Sequence, residues 1–155
     1  MYTTRVSRRI QASPERVYHA LLDRAAVAAW RVPDGMTSEV HAFEPREGGR
    51  FRVSLTYDAP DAQGKTVANT DTYHGRFTRL TDGEEVVEVV EFETPDPLLA
   101  GAITMTTTLH AVGDGTTDVT ITHTGMPDAI PAADNELGTR MALDKLAAWV
   151  EGAAS

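Results

Sequence analysis

The sequence has no cysteine among its 155 residues. That excludes disulfides, thiolate-ligated zinc and thiol catalysis, and it fits a reducing compartment. Positive charge is also scarce: 14 Lys and Arg stand against 23 Asp and Glu, a formal net charge of −9. Phosphate backbones are gripped by clustered Lys and Arg, so nucleic acid is not an expected partner. No apolar run approaches the roughly 20 residues of a membrane-spanning helix. The N-terminal stretch MYTTRVSRRIQASPERVY has no apolar core of signal-peptide length. A soluble, cytoplasmic protein without a membrane partner is the expectation.

The compact catalytic motifs are missing as well. There is no H-E-x-x-H, G-x-S-x-G, phosphate-binding P-loop or EF-hand. GDGTTD (113–118) fails the dinucleotide fingerprint at its last position and sits at a hairpin rather than before a helix. The five histidines, His19, His41, His74, His110 and His123, fall in five separate segments. None forms a metal-ligating pair by spacing, so neither a metal nor a cofactor is expected.

What is present is a clear change of period. The length points to one domain over 1–155, large enough to bury a core without covalent staples. TTRVSRRIQA (3–12) reads as a short strand with Val6 and Ile10 on one face. In ASPERVYHALLD, Ser13 stands at an N-cap and Pro14 at the first helical position, with Val17, Ala20 and Leu21 facing one way. RAAVAAWR (24–31) reads as a second short helix, stopped by VPDG. From Thr37 the period becomes two. TSEVHAF is a strand, EPREGG a turn, and RFRVSLTYD alternates Phe51, Val53, Leu55 and Tyr57 against polar residues. APDAQGK (59–65) is a loop. TDTYHGRFTRL places Asp71, Tyr73, Gly75 and Phe77 on one face. EEVVEVVEFET (84–94) is a strand whose facing stays open, because Val and Glu occur on both sides. AITMTTTLHAV places Ile103, Met105, Thr107 and Leu109 together, and TTDVTITHTG places Val119, Ile121 and His123 together. The order β, α, α, six strands, α predicts an antiparallel meander in an α+β domain.

The last segment, PAADNELGTRMALDKLAAWVEG, explains what that sheet face meets. Helical geometry puts Thr139, Ala142, Leu143, Leu146, Ala147 and Val150 in one stripe, bordered by Glu136 and Arg140. The predicted helix runs from about 133 to 151, after a sheet-and-short-helix portion over 1–126. Leu137, Met141 and Ala148 form a weaker stripe on the opposite side, suited to a flanking loop or a partner subunit.

The segments ASPERVYHALLD, AAWRVPDGM, REGGRFRVSLTY, DTYHGRF, VVEVVEFET and ADNELGTRMALDKLAAWVE resemble, in this order and spacing, the START-like, birch-pollen-allergen (SRPBCC) superfamily. Within it, the chain is most similar to the branch sharing a domain with the activator of heat-shock-protein-90 ATPase. The resemblance implies a helix-grip fold, a seven-stranded curved antiparallel sheet wrapped around a long C-terminal helix. It also implies a cavity between them that takes apolar or aromatic small molecules. Some relatives in the superfamily are enzymes, many are carriers or sensors, and the activator itself binds a chaperone. No catalytic set transfers residue by residue. In one respect the chain departs from the pattern: many members carry Gly-Trp in the helix, whereas here the pair is Gly138–Thr139. A small hydroxyl for a large ring predicts room or polarity near the helix start, unless Trp30 or Met126 fills it.

Three functions follow as expectations. The first is non-enzymatic binding of a small apolar or aromatic molecule. Its cavity would be lined by Trp30, Phe51, Val53, Leu55, Tyr73, Phe77, Met105, Leu109, Ile121, His123, Thr139, Leu143 and Leu146. The second is a module for a protein partner, with a filled core and an exposed apolar patch involving Leu137, Met141 and Trp149. The third is an enzyme in which His123, Asp71 and Tyr73 converge. His123 has an unperturbed pKa near neutrality and either catalyses or lines the wall. Asp71 either sees water at a strand end or turns inward and needs Arg140, His123 or Tyr73 as partner. Tyr73 either orients a ligand through its hydroxyl or packs in the core, and Trp30 with Met36 forms either a lid or a small plug. Monomer and homodimer both remain open.

Overall fold

A computed structural model describes residues 1–58 and 70–152 of the chain. The loop expected at 59–65 lies outside the described residues. Strand β1 (Tyr2–Ile10) leads into two short helices, α1 (Pro14–Leu21) and α2 (Arg24–Trp30). Six strands follow: β2 (Met36–Phe43), β3 (Arg50–Tyr57), β4 (Thr70–Thr81), β5 (Glu85–Phe92), β6 (Ile103–Ala111) and β7 (Thr117–Met126). Helix α3 (Ala132–Gly152) ends the described chain.

Local chemistry sets these boundaries. The Ser13 hydroxyl accepts from the Arg16 amide at 3.2 Å, and Pro14 begins α1 where its missing N–H costs nothing. Asp23 caps α2 in the same way, accepting from the Ala26 amide at 2.9 Å. The seven strands form one antiparallel sheet in the order β1-β7-β6-β5-β4-β3-β2. The meander from β2 to β7 is thus completed by β1, which returns to pair with β7, and every pairing is antiparallel.

The alternation of each strand decides which face is covered. On β3, Phe51 and Val53 are buried while Arg50 and Arg52 are exposed. On β5, the strand whose facing the sequence leaves open, Val86, Glu88 and Val90 are the buried set. Gly75 on β4 is required by close approach: a Cβ there would lie 2.2 Å from the Val89 carbonyl oxygen and 2.6 Å from the Phe51 ring. The absent side chain leaves room for that ring against the strand.

The sheet curves around α3, which buries Thr139, Leu143, Leu146, Ala147 and Val150 against it. These residues share one stripe of the helix, the stripe read from the sequence. One large buried cluster joins that stripe to Val6 and Ile10 of β1, to α1 and α2, and to the inner face of the sheet. Ion pairing at the surface reinforces the seam, with Arg8 of β1 held 2.8 Å from Asp144 of α3. No helix among the described residues is long and apolar enough to cross a membrane.

Candidate functional site

The two halves of α3 do different things. Its C-terminal half, from Leu143 onward, is sealed against the sheet. Its N-terminal half stands off, and Gly138, Thr139 and Ala142 instead border a cavity of about 610 Å³. The small residues of this half-turn, Gly138 and Thr139 where a ring would reach across, leave the space open. Neither Trp30 nor Met126 fills it; both form part of its wall. Thr139 does not present a free hydroxyl there, because its Oγ1 donates to the Asn135 carbonyl at 2.7 Å. A second apolar cluster, Ile103, Met126 and Ile130, closes one end. The Tyr2 hydroxyl ties it to β1 by donating to the Ile130 carbonyl at 2.5 Å.

A polar row runs across the sheet beside this mostly apolar wall. Glu88, Met105 and His123 are direct cross-strand neighbours on β5, β6 and β7. Arg31, the residue that caps α2, reaches over them. Its Nη1 donates to Glu88 Oε1 at 2.5 Å, and its Nη2 contacts the Met105 sulfur at 3.1 Å. The guanidinium carbon also lies 5.5 Å from the Phe51 ring centre and 5.3 Å from that of Tyr73, within cation–π range. The segment carrying Arg31 is pinned from the helix side, since Lys145 donates to the Val32 carbonyl at 2.6 Å and pairs with Asp34 at 3.1 Å. Burial pulls the Arg31 pKa down, but the adjacent Glu88 carboxylate more than offsets this and the net shift is upward. Arg31 therefore stays charged.

Two polar atoms beside this row have no hydrogen-bond partner among the described residues: the Tyr73 hydroxyl and Nδ1 of His123. Burial raises the Tyr73 pKa above its ordinary value, against the opposing pull of Arg31 and with the help of Glu88. The His123 pKa is pushed down to about 4, by burial first and then by the positive charge of Arg31. At neutral pH the imidazole is therefore uncharged, with one nitrogen donating and the other accepting.

The structure distributes the sequence-derived residues unevenly. Trp30, Leu55, Tyr73, Met105, Ile121, His123 and Thr139 border the cavity, and so does Asp71. Phe51, Val53, Phe77, Leu109, Leu143 and Leu146 also face inward, but they lie in the solid part of the core, where helix and sheet meet directly. Phe51 sits one layer behind the cavity wall, its ring 6.3 Å edge-on from Tyr73 and 5.1 Å from Phe77. Asp71 is only 2% exposed, which removes the reading of a carboxylate in water at a strand end. Trp30 is a core residue rather than a lid, buried and donating its indole N–H to the Ala20 carbonyl at 3.3 Å. Arg31 and Glu88 are the site residues that sequence reasoning missed. A Glu in the middle of a Val-rich strand was the available signal for one of them. Among the described residues no three His, Asp or Glu gather where they could hold a metal ion.

Fold and site together define a helix-grip domain, a curved sheet closed by a C-terminal helix with a partly apolar cavity between them. The chain belongs to the family of activator of Hsp90 ATPase homolog 1-like proteins, whose model matches residues 11–151. A crystal structure of a Chromobacterium violaceum protein is similar at 32% sequence identity and a TM-score of 0.85, covering 97% of this chain and 99% of that one. An Aeromonas hydrophila protein named as a member of the same family is similar at 18% identity and a TM-score of 0.71, covering 97% and 94% of the two chains. At 17% identity, an Arthrobacter aurescens protein has a TM-score of 0.80 over 97% and 86%. The last two speak for the fold alone. No protein of curated function matches the sequence.

Proposed function

We propose that this protein binds a small apolar or aromatic molecule between the sheet and the N-terminal half of α3, as a carrier or sensor rather than an enzyme. The carrying observation is the open space itself, bordered mainly by apolar side chains, with Arg31, Tyr73 and His123 among the residues around it. A volume of about 610 Å³ lies within the range of small-molecule sites, which combine apolar walls with a few fixed polar groups.

The enzyme reading draws less support. Asp71, Tyr73 and His123 all border the same space, but a histidine with a pKa of about 4 is a weak base at neutral pH. A protein-partner reading would rest on Leu137, Met141 and Trp149 of α3; Leu137 and Trp149 are 51% and 40% exposed and Met141 is half-buried. Leu137 and Trp149 lie about 18 Å apart along the helix, and scattered exposed apolar residues are common.

The test is native mass spectrometry of gently purified protein, followed by denaturation. A small-molecule mass that departs on denaturation supports the reading. If no mass is released, and a panel of fatty acids and aromatic compounds gives no thermal stabilisation, the reading fails.

A further inference from the structure

We propose that the molecule held in this cavity carries an uncharged hydrogen-bond-accepting oxygen, a carbonyl, and that Arg31 is the donor that holds it. This rests on the small-molecule reading above and deepens it.

The inference starts from an imbalance between donors and acceptors. A guanidinium has five N–H donors. Among the described residues that of Arg31 has a single oxygen partner, Glu88 Oε1, and its other contact is the Met105 thioether, a weak acceptor. The rings of Phe51 and Tyr73 lie against the group, and Arg31 itself belongs to the cavity wall. The guanidinium thus has N–H donors to spare at the edge of this space. An oxygen on an otherwise apolar body answers them.

Charge then selects among oxygens. The positive charge of Arg31 is already balanced by Glu88 at 2.5 Å. A carboxylate ligand would add a second negative charge next to Glu88, in a cavity whose wall also holds Asp71 and Asp134. A buried ion without its own counter-charge is strongly disfavoured. A carbonyl accepts from the guanidinium and brings no net charge. His123, neutral at physiological pH, can complement a second polar atom as either donor or acceptor.

The test uses three probes with one ring system, 2-ethylnaphthalene, 2-acetylnaphthalene and 2-naphthoate, titrated into the full chain by calorimetry. The expected order is acetylnaphthalene tightest, by about tenfold over the hydrocarbon, with naphthoate no tighter than the hydrocarbon. Arg31→Met combined with Glu88→Met, which removes the donor without stranding a charge, should bring the ketone preference to about one. The order of the three probes on the unaltered chain decides the matter if the double variant does not fold. Equal binding of ketone and hydrocarbon overturns this inference and leaves the small-molecule reading standing. Naphthoate binding tightest overturns the uncharged class. If none of the three binds and native spectra show no bound mass, the inference falls together with the reading beneath it.

Discussion

Arg31 Nη1 lies 2.5 Å from Glu88 Oε1, and the two side chains keep only 16% and 4% of their surfaces exposed. They come from the end of α2 and the middle of β5, so this ion pair joins the helical layer to the sheet beside the cavity. Removing one partner of a buried pair strands a charge, whereas removing both does not. Glu88→Met alone should therefore destabilise the protein by about 3–5 kcal/mol. Arg31→Met with Glu88→Met should lie within about 2 kcal/mol of wild type. Urea unfolding of both singles and the double measures this. Equal losses in single and double variants would contradict it.

Glycine substitutions should separate a close approach from an open position. At Gly75 an added methyl meets backbone oxygen and the Phe51 ring, and Gly75→Ala should cost about 1–3 kcal/mol or more. At Gly138, inside α3, a Cβ meets nothing within 4 Å. Gly138→Ala should gain about 0.5–1 kcal/mol from helix propensity. Paired thermal melts check the opposite signs.

The pH dependence of stability should carry a signature of His123. Its folded pKa of about 4 lies below its unfolded value of 6.5, so the unfolded chain takes up a proton first as pH falls. No stability difference arises from this group above pH 6.5. Between 6.5 and 4 the folded state loses stability on the order of 3 kcal/mol. His123→Leu should remove this loss. Denaturation midpoints at pH 7 and pH 5 for both proteins measure it, and parallel curves would count against the buried imidazole.

Thr139 is the place to close the cavity. It is 6% exposed and sits where the helix stands off the sheet. Thr139→Trp should weaken binding of acetylnaphthalene by at least about tenfold, while the melting temperature holds or rises. Retained binding in that variant would place the ligand elsewhere.

Much of the fold was legible because period alone fixes which residues turn inward. Phe51 and Val53 on β3, and Leu143 and Leu146 on α3, face the core as their spacing requires. Period says nothing of how far the opposite layer stands. The same alternation therefore covers Leu55, which borders the cavity, and Phe51, which lies behind its wall. On β5, Val and Glu share both faces, and only the cation opposite shows why Glu88 turns inward. Arg31 was hidden for the same reason: its partner is 57 residues away in the chain, and no local pattern announces a pairing across that distance. From the sequence Asp71 either sees water or turns inward, because a strand end in sequence is not an edge in space; in the structure it is buried.

The measurement that tests the account most directly is a backbone amide NMR titration of 15N-labelled protein with acetylnaphthalene. The account predicts saturable shifts concentrated at Arg31, Tyr73, Met105, Ile121, His123 and Thr139. The outer side of α3 at Leu137, Met141 and Ala148 should stay still. No shifts, or shifts confined to that outer side, would contradict a cavity ligand and return the weight to a surface that binds another protein.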